Sequence, residues 1–260
     1  MNSANNHGIH RVMHEIKRRR LDVLRVTDIT PRMRRITLGG PELAGFVSLG
    51  SDDHIKLFFP RTPEEQAALE TLQLGKGNDD GPRPAMRDYT PRRHDAESGE
   101  LDIDFVLHGD GPASTWAEQA KPGQHLYIGG PRGSMVVPDN FDSYLLIGDE
   151  TALPSIARRL EELPAGRRVL ALIEVPNAAE QQTLRSAADV EVQWVQRDAG
   201  GDLLSAVRGI SLPSGLLYSW VATESTASRK IRRVLLDDFG VNEDLLKAAG
   251  YWKLDGTSEE

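Results

Sequence analysis

An arginine, a tyrosine and a threonine lie close together in residues 87–91, which read RDYTP. The guanidinium of Arg87 offers a planar fork of donors for a phosphate. Side chains two residues apart share one face of a strand, so Arg87 and Tyr89 are predicted to point the same way. Tyr89 can then pack its ring against a flavin, with Thr90 as a small donor beside it. The alternative is an ordinary strand with a surface arginine and a buried tyrosine.

A second segment combines a strand end with a helix start. Residues 104–109 (DFVLHG) end a predicted strand, and residues 111–116 (GPASTW) open a helix predicted over residues 112–120. Pro112 suits the first helical turn. The helix N-terminus, with hydroxyls at Ser114 and Thr115, suits a pyrophosphate. The alternative is a capped strand-to-helix connection, with His108 as a hydrogen-bonded histidine at the strand end.

A third segment, residues 148–154 (GDETALP), follows a short apolar run. A strand, a glycine turn and a helix start form the phosphate-facing corner of many nucleotide-binding folds. The usual G-x-G-x-x-G pattern is absent, and Asp149 and Glu150 bring negative charge near the expected pyrophosphate position. Thr151 is predicted to be the N-cap and a phosphate donor.

The composition excludes several function classes. The chain has 260 residues, a net charge of −8 and no cysteine, so disulfides, iron–sulfur ligation and thiol catalysis are excluded. The acidic balance argues against nucleic-acid binding. No apolar run approaches the roughly 18 residues of a membrane helix, and the N-terminus lacks the apolar core of a secretory signal. We therefore expect a cytoplasmic protein without membrane association.

One local exception to the acidic balance is the basic segment at residues 10–20 (HRVMHEIKRRR). Such an arm could contact nucleic acid or an acidic partner. The favoured interpretation is a solvated leader before the first strand.

The first half of the chain is strand-like and predicts an antiparallel β-barrel domain over residues 18–138. Strand-like runs cover residues 21–27, 33–38, 54–59, 101–107 and 125–128, with a turn at residues 28–32. Apolar and acidic residues alternate over 101–107, which predicts one buried and one wet face. Residues 62–84 are predicted to be a long surface loop.

The second half alternates strands with helices, which predicts an α/β domain with a parallel sheet over residues 142–260. The predicted strands are residues 144–147, 169–175, 190–195 and 216–222, and the predicted helices are residues 152–163, 203–207, 227–239 and 243–249.

Taken in order, these segments carry a family resemblance. The chain resembles the siderophore-interacting protein family of bacterial ferric-chelate reductases in the segments RDYT, DFVLHG with GPASTW, GPRGS, GDETALP and the terminal GYW. The resemblance covers about residues 21–252 and is closest to the NAD(P)H-dependent branch. It implies a ferredoxin-reductase-like fold, in which an FAD-binding barrel precedes a nicotinamide-binding domain.

The resemblance also implies residue roles. The expected FAD contacts are Arg87, Asp88, Tyr89, Thr90, Asp104, Val106, His108, Gly109, Ala113, Ser114, Thr115 and Trp116. The expected contacts to the nicotinamide cofactor are Asp149, Thr151 and Ala152. No catalytic side chain and no protein-bound metal are expected, since FAD carries the electron transfer to Fe(III).

Ferric siderophores or other ferric chelates are the implied substrates. Many are anionic, so an acidic protein needs local positive charge near the flavin. Lys56 and Arg132 are the candidates, and the alternative is a solvated strand lysine and a turn arginine.

The electron donor is left open between NADPH, which the family branch favours, and NADH. Glu174 could bind a ribose hydroxyl and disfavour a 2′-phosphate, whereas Arg197 could do the reverse. Two rivals remain: a reductase fed by ferredoxin, and a siderophore-binding protein without turnover. In related flavoenzymes a C-terminal aromatic stacks on the flavin, so Tyr251 or Trp252 could do so here. Packing of a last helix on the sheet is the favoured alternative.

Overall fold

The computed structural model describes residues 7–72, 81–109 and 111–254. The chain divides into two compact units, one of them His10–Val136 and the other beginning at Val137 and including the described residues before His10. Within the described ranges, no helix is long and apolar enough to cross a membrane.

The first unit is built on a seven-stranded antiparallel sheet, with one additional two-stranded sheet. Its strands are β1 (His10–Met13), β2 (Arg18–Thr30), β3 (Met33–Gly39), β4 (Ile55–Phe59), β5 (Ala85–Tyr89), β6 (Arg93–Asp95), β7 (Glu100–Val106), β8 (His125–Gly129) and β9 (Gly133–Val136). Its helices are α1 (Pro63–Thr71) and α2 (Pro112–Gln119). Strands β1 and β9 pair with each other, and the larger sheet has the order β5-β4-β8-β2-β3-β7-β6.

The large sheet must curl, because its two edge strands are consecutive in the chain. Residues 90–92 alone join edge strand β5 to edge strand β6. In a flat sheet with strands about 4.8 Å apart the two edges would be roughly 29 Å apart. A link of this length spans at most about 14 Å. The curled sheet encloses Leu21, Ile36, Leu57, Leu101 and Ile128, each 0% exposed, which confirms the predicted barrel architecture.

The second unit is an α/β fold around a five-stranded parallel sheet. Its strands are β10 (Ser143–Gly148), β11 (Arg168–Val175), β12 (Asp189–Gln196), β13 (Leu217–Glu224) and β14 (Leu246–Trp252), and its helices are α3 (Leu153–Glu162), α4 (Leu203–Arg208) and α5 (Ser225–Asp237). The predicted parallel sheet is confirmed.

The strand order of this sheet is β12-β11-β10-β13-β14. The chain moves outward from β10 through β11 to β12, then crosses back to place β13 on the other side of β10. This reversal is a topological switch point, and open α/β sheets bind ligands outside the carboxyl ends of the strands at such a point. The topology of the sheet therefore predicts a ligand site near the residues that follow β10 and β13.

The helix predicted over residues 243–249 is wrong. A short 3-10 turn (Glu243–Leu245) leads into β14, which pairs in parallel with β13. The backbone pairing offered by the edge of β13 overrides the helix propensity of the lysine and alanines in this segment. Gly250 permits the close approach, because a Cβ there would lie 2.3 Å from the Ser225 hydroxyl oxygen.

The solvated basic leader is also wrong for the residues at the start of β2. Arg19 is 4% exposed, lies over the ring of Phe46 at 5.4 Å and donates to the Gly130 carbonyl at 3.3 Å. Arg18 lies over the ring of Tyr127 at 5.4 Å and donates to the carbonyl of Leu69. These two arginines are part of the barrel wall and do not belong to a solvated leader.

The predicted loop over residues 62–84 contains helix α1. The Thr62 hydroxyl accepts from the Glu65 N–H at 3.2 Å, and the Glu65 carboxylate accepts from the Arg61 N–H at 2.7 Å. The sequence signal was present, since Thr-x-x-Glu is a capping pattern at a helix start. Residues 73–80 of the predicted loop lie outside the described residues.

The wet face predicted for residues 101–107 is wrong as well, since both faces of β7 are buried. Asp102 accepts from the Thr37 hydroxyl and from Arg93, both at 2.7 Å. Asp104 accepts from Arg35 at 2.7 and 2.8 Å. Arginine and hydroxyl donors from neighbouring strands compensate the burial of these carboxylates, a pairing that alternation along one strand does not reveal.

Candidate functional site

Three segments of the barrel unit meet around a row of aromatic rings. Tyr89 of β5 lies 4.5 Å from Phe105 of β7, measured between ring centroids. Phe105 in turn lies 5.6 Å from Trp116 of α2, and Trp116 lies 5.9 Å from Phe59 of β4. The fold thus brings the RDYT strand and Phe59 of β4 together with the DFVLHG strand and the GPASTW helix start that follows it.

Strand β5 presents its arginine at the edge of the sheet. Arg87 is exposed and donates to its neighbour's carbonyl, that of Met86, at 2.7 Å. Within the described part of the chain, its guanidinium has no carboxylate partner. Burial raises the pKa of Tyr89, so its hydroxyl keeps its proton at neutral pH and can donate. Thr90, next to it, is buried.

The turn from β7 into α2 is suited to an anion. The N-cap is Gly111, which makes no side-chain capping hydrogen bond, and the first helical turn holds no acidic residue. Gly109 adopts a φ of +94°, a conformation that favours glycine. His108, Gly109 and Thr115 are exposed. Among the described residues, a helix start with small residues and no acid in its first turn fits the pyrophosphate of a dinucleotide.

Other predicted cofactor residues use their side chains inside the protein. The hydroxyl of Ser114 is fully buried and accepts from the His108 N–H at 3.0 Å. Both carboxylate oxygens of Asp104 accept from Arg35. Ala113 is 4% exposed, and Val106 and Trp116 are half-buried. The cofactor roles of these residues stay predictions.

The two candidate cations for the substrate lie on one part of the barrel. Lys56 of β4 is opposite Gly129 of β8, and Arg132 follows Gly129 by three residues. Arg132 is exposed, whereas Lys56 forms an ion pair with Asp88 at 3.1 Å. Asp88 therefore offsets the charge of Lys56, an effect that the sequence did not show.

In the second unit, the corner between β10 and α3 begins with a glycine that packing requires. A Cβ on Gly148 would lie 2.4 Å from the Ala152 Cβ and 2.8 Å from the Ala222 carbonyl oxygen. Gly148 therefore allows the helix start to approach the sheet closely, one of the roles that glycine has in dinucleotide folds.

Asp149 is the hydrogen-bonding centre of this corner. It is 1% exposed. One carboxylate oxygen accepts from the Thr151 N–H at 2.9 Å and from the Thr151 hydroxyl at 2.5 Å. The other accepts from the Thr223 hydroxyl at 2.7 Å and from the Trp252 indole N–H at 2.8 Å. Asp149 thus joins the ends of β10, β13 and β14.

The backbone donors of this corner are also used internally. The N–H groups of Ala152 and Leu153 donate to the Asp149 carbonyl at 3.0 and 3.1 Å, and the next residue is a proline. Ala152 is the N-cap, so the prediction of Thr151 as N-cap is wrong. The carboxylate of Asp149 takes the donors of Thr151 that a phosphate would otherwise use.

A cluster of three charges lies at the carboxyl edge of the same sheet. Arg197, directly after β12, donates to Glu150 at 2.8 Å and to Glu174 at 3.0 Å, with a second bond to Glu150. The hydrogen bonds to Glu150 raise the pKa of Arg197. Burial raises the pKa of Glu174. The two residues that were read as opposing determinants of cofactor choice are therefore bonded to each other.

The C-terminal aromatics pack on the second unit. Trp252 bonds Asp149, and Tyr251 lies 6.1 Å from Trp220 with its hydroxyl 3.4 Å from that of Ser155. These contacts favour packing on the sheet, although a strand and not a helix delivers the pair. Sequence reasoning missed Thr223, whose signal was a threonine directly after the strand predicted over residues 216–222.

Comparison with known proteins identifies the family. The model of the siderophore-interacting FAD-binding domain matches residues 22–135, and that of the siderophore-interacting protein matches residues 141–255. The NADPH-dependent ferric-chelate reductase of Escherichia coli K12 is 36% identical over 93% of this chain and 95% of that protein. The chain belongs to the siderophore-interacting protein family.

Other members of the family are similar over nearly the whole chain. Ferric vibriobactin reductase ViuB of Vibrio cholerae is 32% identical over 93% of this chain and 91% of that protein. A siderophore utilization protein from T. fusca has a TM-score of 0.86 and 39% identity, covering 96% of this chain and 97% of that one. The cytochrome P450 reductase GcoB of Amycolatopsis, with a TM-score of 0.66 and 18% identity, shares the fold.

Within the described residues, no group of three or more histidine, aspartate or glutamate side chains is placed to hold a metal ion.

Proposed function

We propose that this protein is an FAD-dependent reductase that passes electrons from NADPH to Fe(III) held by a siderophore or another chelator. The observation that carries the proposal is the convergence of Arg87, Tyr89 and the acid-free start of α2 around one aromatic row, in a family whose members include ferric-chelate reductases. Bound FAD supplies the conversion of a two-electron donation into single-electron transfers.

The side chains of the barrel unit hold and orient the cofactor. Arg87 offers its guanidinium fork to a phosphate, and the Tyr89 hydroxyl, which keeps its proton, donates a hydrogen bond. The start of α2 receives the pyrophosphate through its dipole and backbone N–H groups. Phe105 packs against the ring of Tyr89, and Trp116 packs against Phe105.

Release of iron follows from the weaker binding of Fe(II) by hard oxygen ligands. Each NADPH donates two electrons, so two ferric chelates are reduced for each NADPH consumed. Arg132 and Lys56 are proposed to attract the anionic chelate, with Asp88 reducing the contribution of Lys56.

The test is anaerobic mixing of the FAD-loaded protein with NADPH, NADH or reduced ferredoxin, followed by a ferric chelate. We expect NADPH to bleach the visible absorbance of the oxidised flavin, and a ferric chelate to restore it with two Fe(II) formed per NADPH. If reduced ferredoxin bleaches the flavin and neither nucleotide does, the electron donor is ferredoxin and not NADPH. A protein that binds no flavin would instead be a siderophore-binding protein without turnover.

Arg87→Ala tests the assignment of the flavin site. It should weaken FAD binding by about 10–100-fold, since charge-assisted bonds of a guanidinium to phosphate are strong. Arg25→Ala is the matched control, because Arg25 is an exposed arginine of the same unit that pairs with Glu100. Equal FAD affinity in Arg87→Ala and the control would remove Arg87 from the site.

A further inference from the structure

The start of α3 offers little to the phosphates of a dinucleotide. The N–H groups of residues 151–153 are bonded to Asp149, and that carboxylate is saturated by its own donors. A nucleotide that binds at this edge of the sheet must therefore gain affinity and specificity from other groups.

Arg197 is a cationic side chain at the same edge of the sheet. It follows β12, two strands from β10, and its side chain is 36% exposed. Glu174 lies on β11 at 3.0 Å from Arg197. In dinucleotide-binding folds an acid in this region binds a ribose 2′-hydroxyl, and an arginine nearby accommodates a 2′-phosphate.

The two glutamates hold Arg197 differently. Glu174 also accepts from the Leu203 N–H at 3.2 Å, so its carboxylate is anchored at the start of α4. Glu150 bonds both terminal nitrogens of Arg197, and within the described part of the chain it has no other partner. Glu150 thus occupies the two terminal nitrogens of Arg197 that a doubly bonded phosphate would need. Its carboxylate can move away from Arg197 without breaking a contact to any other described residue.

We propose that Arg197 binds the 2′-phosphate of NADPH and that Glu150 competes with that phosphate for the same guanidinium. The inference rests on the proposed function, because it takes NADPH as a substrate. Glu174 keeps Arg197 in place while Glu150 is displaced. Glu150 is therefore a specificity-determining residue that lowers the affinity for the 2′-phosphate, and with it the preference for NADPH over NADH.

The test is calorimetric titration of the FAD-loaded full chain with 2′,5′-ADP, which carries the 2′-phosphate, and with 5′-AMP, which lacks it. Arg197→Gln should weaken 2′,5′-ADP binding by about 10–100-fold and leave 5′-AMP binding unchanged, since charge-assisted bonds to phosphate are lost. Glu150→Gln should tighten 2′,5′-ADP binding by about 2–5-fold, as expected when a partly exposed ion pair no longer competes. A gain of affinity cannot arise from misfolding.

Glu162→Gln is the matched control, because Glu162 pairs with Arg158 on α3 and carries the same charge. An equal gain in this control would show an effect of net charge alone and would overturn the proposal. So would a loss of affinity in Glu150→Gln, or a wild-type protein that does not distinguish 2′,5′-ADP from 5′-AMP.

NADPH-driven ferric reduction is measured separately on the same variants. If the wild type consumes NADPH but Arg197→Gln keeps the preference for NADPH over NADH, the proposed function stands and this inference fails. If 2′,5′-ADP binding follows Arg197 but NADPH reduces no flavin, the phosphate site stands and the electron donor is wrong.

Discussion

The two strand-to-helix corners of this protein look alike in sequence and differ in their chemistry. In the described residues of the corner between β7 and α2, the N-cap is a glycine without a side-chain capping bond and the first helical turn holds no acid, which suits an anion. The corner between β10 and α3 contains Asp149 and Glu150, and its donors and carboxylates satisfy one another. A strand, a turn and a helix start are therefore not sufficient for a phosphate site.

The difference lies in where each unit places its carboxylates. In the barrel, Asp104 and Glu100 pair with arginines on other strands of the same sheet. In the second unit, Asp149 is buried inside the corner and binds three strand ends together. We propose the barrel corner as a ligand site, whereas the hydrogen bonds of Asp149 join the strand ends of the second unit.

The largest expected effect is the loss of stability in Asp149→Ala. Removing a buried acceptor leaves the donors of Thr151, Thr223 and Trp252 unpaired, which should lower the free energy of unfolding by about 3–5 kcal/mol. Urea unfolding followed by tryptophan fluorescence measures it, since Trp194, Trp220 and Trp252 lie in this unit. Asp189→Ala, at an exposed position, should change it by less than about 0.5 kcal/mol. A similar small change in Asp149→Ala would contradict the structural role.

The second prediction concerns a variant in which the corner between β7 and α2 is made to resemble the corner between β10 and α3. Thr115→Asp places a carboxylate on the exposed first turn of α2. FAD binding should weaken by about 10-fold because of repulsion between the carboxylate and the pyrophosphate. The free energy of unfolding of the flavin-free protein should rise by about 0.3–1 kcal/mol, since acids stabilise helix N-termini.

Opposite signs in affinity and stability distinguish this effect from simple damage. Thr115→Asn, which has a similar shape and no charge, is the control and should bind FAD nearly as the wild type does. If Thr115→Asp binds FAD with unchanged affinity, the pyrophosphate does not lie at the start of α2.

Much of the architecture could be predicted because it depends on local periodicity. A strand was predicted over residues 169–175, and β11 covers them. The strand β14 could not be predicted in this way, because Lys247, Ala248 and Ala249 favour a helix until the edge of β13 offers them partners. Local propensity decides an element only where no long-range pairing competes with it.

For the candidate sites too, the sequence predicts what depends on local residue types and does not predict contacts between distant residues. The residue types at Arg87, Tyr89 and the start of α2 indicated phosphate and flavin chemistry without any knowledge of the fold. The pairing of Asp104 with Arg35, 69 positions apart, and of Glu150 with Arg197, 47 positions apart, exists only in three dimensions. Sequence reasoning therefore proposed candidate ligands of the cofactor, but it could not show which charges were already neutralised.

A smaller effect is expected at Trp252, which bonds Asp149 in the corner between β10 and α3. Trp252→Phe keeps an aromatic ring and removes the indole N–H that donates to Asp149. The free energy of unfolding should fall by about 1 kcal/mol, the usual net contribution of one hydrogen bond. Tyr251→Phe is the control, since its hydroxyl lies 3.4 Å from Ser155 and should contribute less. Equal losses in both variants would mean that Asp149 does not depend on the indole.

The smallest effect concerns acid, where the barrel carboxylates should respond in a defined direction. Hydrogen bonds from Arg25 and then Arg93 lower the pKa of Glu100 to about 2. A carboxyl whose pKa is lower in the folded state stabilises the fold above its unfolded pKa, and this contribution is lost as the pH falls towards the folded pKa. The stability difference between wild type and Glu100→Gln should therefore be constant near neutral pH.

That difference should shrink as the pH falls below the ordinary glutamate range towards about 2. Urea unfolding at a series of pH values measures it. Glu174 gives the contrast, because burial raises its pKa and folding favours its protonated form. Glu174→Gln should not reproduce the acid-dependent convergence seen with Glu100→Gln. If it does, the carboxylates of the two units do not differ in the way that their surroundings indicate, and the contrast between an ion-paired barrel carboxylate with a lowered pKa and a carboxylate of the second unit with a raised pKa would fail.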